Sequence, residues 1–166
     1  RSGHAHAEHA HHLRAGGLRS INIDAMYGLP GQTTARMLAS LGHVVAMAPD
    51  RIACFGYAHV PWARRNQQRI DEATLPDRYA RFALFRLAVD TLTDAGYRWI
   101  GLDHFAREDD ELAAALDEGR LHRNFMGFHT SSGSDMVAFG ITGIGDVSGV
   151  YLQNRHALSA WERDLE

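Results

Sequence analysis

The sequence contains one cysteine, no long hydrophobic run and no excess of positive charge. Because Cys54 stands alone among 166 residues, an internal disulfide is excluded, and a reducing cytoplasm is the expected location. No apolar stretch approaches the ~18 residues of a membrane helix, and the N-terminus lacks the apolar segment of a secretory signal. The net charge is -3 with acidic and basic residues interleaved, so neither nucleic acid nor a membrane is expected as a partner.

The hydrophobic pattern predicts strands that alternate with helices. Strands are expected at residues 20–27, 51–57 and 97–102, and helices are expected after Thr33 or Thr34 until Pro49, from about Pro76 to Ala95, and at 109–118. Such alternation indicates βαβ units with a parallel sheet, which is an α/β fold.

The second helix is predicted to present one apolar face to the core, and Gly96 is expected to end this helix. This face consists of Tyr79, Phe82, Ala83, Leu84, Leu87 and Leu92. Beyond residue 120, glycines alternate with small apolar residues, which is typical of tight turns and close backbone approach.

Four short segments carry a family resemblance. They read INIDAMYGLPGQT at 21–33, FGYAHVP at 55–61, GLDHFAR at 101–107 and LHRNFMGF at 121–128. In this order they resemble the oxygen-independent coproporphyrinogen III oxidases, radical S-adenosylmethionine enzymes of haem synthesis. The resemblance extends from about Arg14 to the C-terminus.

The resemblance implies the later part of a partial (β/α)6 barrel, followed by the start of a C-terminal region. Residues 1–106 would form the later half of the barrel with its following strand, and residues 107–166 the linking segment and the start of the C-terminal domain. The family holds a 4Fe-4S cluster with a Cys-x3-Cys-x2-Cys motif, which this sequence lacks. The cluster ligands would therefore lie outside this chain, and the isolated chain is expected to fold poorly and to be inactive.

The resemblance also implies cofactor contacts. Asp24, Ala58 and Ile144 match positions that contact S-adenosylmethionine, and Phe125 matches an aromatic residue that faces a second S-adenosylmethionine. Met126 replaces the glutamine usual at the next position, which puts the second site in doubt because a thioether lacks the donors of an amide. Two alternatives stay open: Asp24 bonded to loop amides, and Ile144 as a core residue.

The implied reaction is the oxidative decarboxylation of two propionates of coproporphyrinogen III to vinyls, which gives protoporphyrinogen IX and requires an electron acceptor. Arg123 is the candidate for a propionate contact because a guanidinium suits carboxylates. Its alternative role is a salt bridge to Asp117 or Glu118. No residue is assigned a catalytic role, and the complete enzyme is expected to be a monomer.

Two other functions compete with the oxidase. A haem-binding chaperone shares the same superfamily, although the segment 103–106, Asp-His-Phe-Ala, favours the oxidase branch. A metal-binding module is the other alternative, because imidazoles at close spacing bind transition metals. Its histidines would be His4, His6, His9, His11 and His12, but no Cys or Asp lies nearby to complete the geometry, so no physiological metal site is expected there.

Overall fold

The computed structural model describes residues 2–131 and 133–166, without the side chains of residues 2–7 and 9. The chain forms two compact units, Arg1–His129 and Thr130–Glu166. The domain boundary predicted between residues 106 and 107 stays a prediction.

The larger unit combines helices with a central sheet and a small hairpin. Its helices are α1 (Ser2–Ala15), α2 (Thr34–Ala46), α3 (Arg78–Asp94) and α4 (Glu111–Asp117). Its strands are β1 (Asn22–Tyr27), β2 (Arg51–Gly56), β3 (Tyr97–Gly101), β4 (His104–Arg107), β5 (His122–Asn124) and β6 (Gly127–His129). Two short 3-10 helices, Arg65–Arg69 and Glu72–Thr74, lie between β2 and α3.

Side-chain caps fix where α2 and α3 begin. The Thr33 side chain accepts a hydrogen bond from the Arg36 backbone N–H, and the Asp77 carboxylate accepts one from the Ala80 N–H. Each bond satisfies one of the first N–H groups, which have no partner within the helix. The predicted helix after Thr33 and the predicted helix that ends before Gly96 are therefore confirmed, and Gly96 has the positive φ of a helix-ending glycine.

The four-stranded sheet has the order β1-β2-β4-β3. β1 and β2 are parallel, whereas β4 is antiparallel to both β2 and β3. The α/β class is thus correct, but the expectation of parallel pairing holds only for β1 and β2. The reason is the tight turn at Leu102 and Asp103, where Leu102 has φ 49, which reverses the chain directly after β3. Without a helix between them, consecutive strands pair antiparallel.

One face of the sheet is covered by α2 and α3, and we call it the helix-covered face. Fully buried Leu41 of α2 and Leu92 of α3 pack there against Ile52 and Phe105 of the sheet. Each such side chain contributes about 1.5–3 kcal/mol when it is removed from water. This core holds the larger unit together.

The predicted apolar face of α3 is partly wrong. Leu84, Ala88 and Leu92 are buried, but Tyr79 is 69% exposed and Phe82 is 61% exposed. The buried residues recur at a spacing of four, so the contact follows one narrow line of the helix. The aromatic residues of the first turns extend away from this line.

A second, smaller core lies on the opposite face of the sheet. Ile100 and Ala106 pack there against Leu112 and Ala113 of α4, and Phe128 of the β5–β6 hairpin joins them. Among the described residues, this second core lies on the β3–β4 side of the face, whereas Asn22 and Asp24 of β1 are exposed on the same face.

The smaller unit contains the hairpin of β7 (Ile144–Val147) and β8 (Val150–Gln153), followed by α5 (Leu158–Arg163). Met136 forms a bridge to Asp146, and the Asn154 side chain donates to the carbonyl oxygens of Ala138 and Gly140. Positive φ angles at Gly133, Gly140 and Gly149 agree with the tight turns expected from the glycine pattern.

None of the helices in the described ranges has both the length and the apolar character needed to cross a membrane.

Candidate functional site

Asp24, Ala53 and His104 form a row across the sheet, on the face opposite to α2 and α3. Asp24 of β1 pairs with Ala53 of β2, and Ala53 pairs with His104 of β4. Residues in register on neighbouring strands share a face, so all three side chains lie on the side that we call the Asp24 face. The small Ala53 leaves space between the carboxylate and the imidazole.

The Asp24 side chain is exposed in the middle of β1. Its Oδ1 atom accepts a hydrogen bond of 2.8 Å from the Asn22 side chain, two residues earlier on the same face. This contact replaces the alternative of Asp24 bonded to loop amides. An exposed carboxylate that keeps an accepting oxygen can take a hydrogen bond from a hydroxyl or ammonium group of a ligand.

The loop after β2 is held in place by two side chains that flank Ala58. The Gln67 amide donates to the Ala58 carbonyl at 3.0 Å and accepts from the Val60 N–H at 2.6 Å. The His59 ring lies 3.2 Å from both the Tyr57 hydroxyl and the Glu72 carboxylate. Since a carboxylate only accepts, His59 Nε2 donates to Glu72, and Nδ1 accepts from Tyr57. His59 therefore orders the loop, and Ala58 is exposed beside it.

The loop after β1 is fixed in a comparable way by Gln32 and Arg81. The Gln32 side chain accepts from the Gly28 N–H at 2.6 Å and donates to the Met26 carbonyl at 3.2 Å. Arg81 of α3 lies across Gly28 and Gly56, and a Cβ at Gly56 would be 2.9 Å from its guanidinium. Nothing in the sequence around Arg81 singles it out, because arginine is common in helices and its contacts here are with residues far away in the chain.

A cavity of about 360 Å³ lies at the end of the sheet where β1 and β2 terminate. Its lining residues are Tyr27, Gly56, Phe85, Leu102, Asp103 and Arg123. Burial raises the pKa of Tyr27, although the nearby Arg81 opposes this shift. The hydroxyl is therefore neutral at physiological pH and can both donate and accept.

Arg123 lines this cavity and does not form the salt bridge that was its alternative role. Asp117 pairs with Arg98 at 2.7 Å, and Glu118 pairs with Arg120. The Arg123 guanidinium instead lies over the Phe128 ring, 5.9 Å from its centroid.

His104 and the preceding Asp103 form a hydrogen-bonded pair. His104 Nδ1 lies 2.7 Å from Asp103 Oδ1, and the ring contacts Phe128 edge-on at 5.3 Å between centroids. Gly127 lies against the Nε2 edge of the ring: a Cβ there would be 2.8 Å from His104 Nε2. In the sequence these two residues belong to one of the segments that carry the family resemblance, and no role was predicted for them.

Cys54 lies in the core of the helix-covered face and is unsuited to bind a cluster. Burial, with a smaller contribution from Asp103, raises the pKa of its thiol from 9.0 to about 12. The thiol is 1% exposed and packed among apolar core residues, so a cluster has no room beside it. Within the described residues, no group of three or more His, Cys, Asp or Glu side chains is arranged to hold a metal ion. The side chains of His4, His6 and His9 lie outside the described part of the chain.

Phe125 and Ile144, the other predicted cofactor contacts, belong to different compact units. Phe125 is 41% exposed in the turn between β5 and β6, where the Asn124 side chain accepts from the Met126 N–H at 2.8 Å. Ile144 begins β7 opposite Gln153 and is half-buried. Their roles stay predictions.

Comparison with known proteins gives one consistent family. No protein-family model matches the chain. The oxygen-independent coproporphyrinogen III oxidase of Synechocystis sp. is 41% identical over 154 residues, which is 93% of this chain and 33% of the relative. The enzyme of the same name from Thermostichus vulcanus is 40% identical over 153 residues, which is 92% of this chain and 47% of the relative.

A solved structure agrees with the sequence relatives. Coproporphyrinogen III oxidase (HemN) from Escherichia coli, described as a radical SAM enzyme, matches with a TM-score of 0.94 and 37% identity. The match covers 99% of this chain and 38% of that chain, so this chain spans between a third and a half of the length of these relatives. In sequence and in fold, the chain is homologous to one segment of the oxygen-independent coproporphyrinogen III oxidases, and the resemblance carried by its four short segments is confirmed.

Proposed function

We propose that this chain provides part of an oxygen-independent coproporphyrinogen III oxidase. The observation that carries the proposal is the exposed Asp24 carboxylate, which lies in the first of the four segments that carry the resemblance and on the sheet face that α2 and α3 leave open. The reaction would convert two propionates of coproporphyrinogen III to vinyls and give protoporphyrinogen IX.

Asp24 and Ala58 are the residues of the larger unit that would hold S-adenosylmethionine. Asp24 offers an acceptor oxygen to a hydroxyl or ammonium group, and the small exposed Ala58 lets a flat ring approach a backbone that Gln67 holds rigid. Once bound, S-adenosylmethionine together with a reduced 4Fe-4S cluster supplies the radical that removes hydrogen from a propionate side chain. Ile144 is proposed as a further contact to the adenosine, and Phe125 as a contact to a second S-adenosylmethionine.

The residues of this chain do not fit the cluster itself. Cys54 is its one cysteine, and the thiol is buried among apolar side chains and protonated. We therefore propose that the cluster ligands lie outside the 166 residues.

Arg123 would bind a propionate of the substrate. Its guanidinium lines the cavity of about 360 Å³ and forms no salt bridge to another described residue, so its donors are available to a carboxylate. An electron acceptor, a cytoplasmic location and a monomeric state complete the proposal.

The test is to reconstitute the full-length protein anaerobically with iron and sulfide and to assay coproporphyrinogen III decarboxylation in the presence of S-adenosylmethionine. Formation of protoporphyrinogen IX, with loss of activity in Asp24→Ala, is the expected result. Stoichiometric haem binding without cleavage of S-adenosylmethionine would instead identify the haem-binding chaperone. The matched control is Asp94→Ala, because Asp94 lies at the exposed end of α3, remote from β1 in sequence.

A further inference from the structure

The Asp103–His104 pair fixes which nitrogen of the imidazole carries the proton. A carboxylate only accepts hydrogen bonds, so the 2.7 Å contact requires that His104 Nδ1 donates to Asp103. In the neutral ring the other nitrogen, Nε2, is then an acceptor. The structure thus presents an acceptor at a defined position.

Nε2 has no hydrogen-bond partner among the described residues, yet it is not sealed in the protein. No side-chain nitrogen or oxygen of the described residues is both fully buried and unpaired, so this atom is not completely enclosed, and the His104 side chain as a whole is 23% exposed. Gly127 packs against the Nε2 edge of the ring, and the ring fits there because residue 127 has no side chain. A Cβ at that position would lie 2.8 Å from Nε2, so any other residue would displace the ring.

The position of His104 relates it to the proposed cofactor contact. It lies two strands from Asp24 in the same row, and the spacing of neighbouring strands places the two Cα atoms about 10 Å apart. Ala53 lies between them, and its short side chain does not project far from the sheet. A substrate that lies beside S-adenosylmethionine bound at Asp24 is therefore within reach of His104 on the same face.

We propose that His104 Nε2 accepts a hydrogen bond from a pyrrole N–H of the substrate, and that Asp103 is the residue that positions it. The inference rests on the proposed function, which makes the substrate a reduced tetrapyrrole. Such a molecule carries N–H donors at its centre and carboxylates at its edge. A neutral imidazole that already donates through Nδ1 has only an acceptor to offer, so it suits the centre, whereas Arg123 suits the edge.

Other charged or titratable groups face the same region, and their contributions to the pH dependence must be distinguished from that of His104. Asp24 and Arg51 lie on the Asp24 face, and Arg51 is held by Asp110 and Glu111 at the start of α4. Arg98 of β3 is held by Asp117 of α4. In the β5–β6 hairpin the groups are Arg123, His122 and His129. A variant that changes only residue 104 distinguishes its titration from theirs.

The experiment measures the Kd of coproporphyrinogen III for the full-length protein under anaerobic conditions between pH 5.5 and 8. In the wild type, Kd is expected to rise on the order of tenfold as the pH falls, because a protonated imidazole no longer accepts. His104→Gln places an amide oxygen near the position of Nε2, so it should keep the Kd of the wild type at pH 8 and remove the pH dependence. His104→Lys, which offers donors only, should weaken binding at every pH.

Asp103→Asn tests the positioning role. An amide can donate as well as accept, so the imidazole is released from one tautomer, and Kd should rise severalfold at pH 8. The 15N chemical shifts of His104 should report Nδ1–H alone in the wild type and a mixture of tautomers in this variant.

Several results would overturn the inference. Tighter binding at low pH, or in His104→Lys, would mean that His104 recognises a carboxylate. Identical pH profiles in the wild type and His104→Gln, or no binding at any pH, would remove His104 from the substrate site. Binding with the expected profile but without decarboxylation would refute the proposed oxidase reaction alone.

Discussion

The two faces of the central sheet are built from the same strands but serve different purposes. On the helix-covered face, Ile52 and Phe105 are sealed beneath α2 and α3. The residues next to them in the chain, Ala53 and His104, lie on the Asp24 face, where β1 also presents Asp24. Because side chains alternate between faces, each strand contributes in turn to the core and to the candidate site.

This comparison indicates that stability and ligand binding can be changed separately. The helix-covered face removes large apolar side chains from water, whereas Asn22 and Asp24 on the Asp24 face are exposed and bond to each other. Substitutions on the first face should change the free energy of unfolding. Substitutions on the second should change binding.

The largest effect is expected for Leu41→Ala on the helix-covered face. Leu41 is 0% exposed, so truncation loses its transfer free energy and leaves a cavity, at a cost of about 2–5 kcal/mol. Chemical denaturation measures the loss. Leu38→Ala is the control on the same helix, since Leu38 is 50% exposed and should cost less than about 0.5 kcal/mol. Equal losses would mean that the core is elsewhere.

Asp24→Ala should weaken ligand binding and leave stability unchanged. Removal of a hydrogen bond to a charged group weakens binding by about 1.5–3 kcal/mol, which is about 10- to 100-fold in the Kd of S-adenosylmethionine. The melting temperature should stay unchanged because the side chain is exposed. Isothermal titration of the reconstituted full-length protein provides the measurement, and an unchanged Kd would separate Asp24 from the cofactor.

Gly127→Ala should destabilise the packing of the β5–β6 hairpin against His104. The new Cβ would overlap His104 Nε2 at 2.8 Å, and the φ of 128 at this position is rare for other residues, so a cost of about 1–3 kcal/mol is expected. Gly119→Ala is the control, because φ is also positive there but no atom lies within 4 Å. If His104→Ala fails to recover part of the loss in the double variant, the ring is not the obstacle.

The last effect is absent at neutral pH and concerns the pH dependence that Cys54 adds to the helix-covered face. Its folded pKa is raised to about 12, so the folded state holds the proton more tightly than the unfolded state does. The resulting stability is present below about pH 9 and is lost as the pH rises toward 12, at no more than about 1.4 kcal/mol per pH unit. The difference in unfolding free energy between the wild type and Cys54→Ala should therefore shrink between pH 9 and 11. A constant difference would show that the thiol is hydrated.

The sequence predicted those elements whose signals are local. The spacing of Met37, Leu41 and Val44 identified α2, and Gly96 identified the end of α3. The strand β4 was missed because the turn at Leu102 contains no glycine at its centre and the segment that follows is only four residues long. Tyr79 and Phe82 were misplaced because hydrophobicity alone does not say which line of a helix faces its neighbour.

The residues of the candidate site also divide into those that the sequence predicted and those that it did not. Asp24 and Ala58 were predicted because their surrounding segments resemble a family, and Arg123 because a guanidinium suits carboxylates; their roles stay predictions. Arg81 and the role of Gly127 were not predicted, since both depend on contacts between residues far apart in the chain.

The sequence by itself determined the α/β class, the positions of the main helices and the family, because periodicity, caps and motifs are written along the chain. Only the tertiary structure decided that β4 inserts between β2 and β3, and thereby that His104 shares a row with Asp24. Strand order depends on which edges meet once the chain reverses at Leu102, and that is a property of the packed sheet rather than of any local segment.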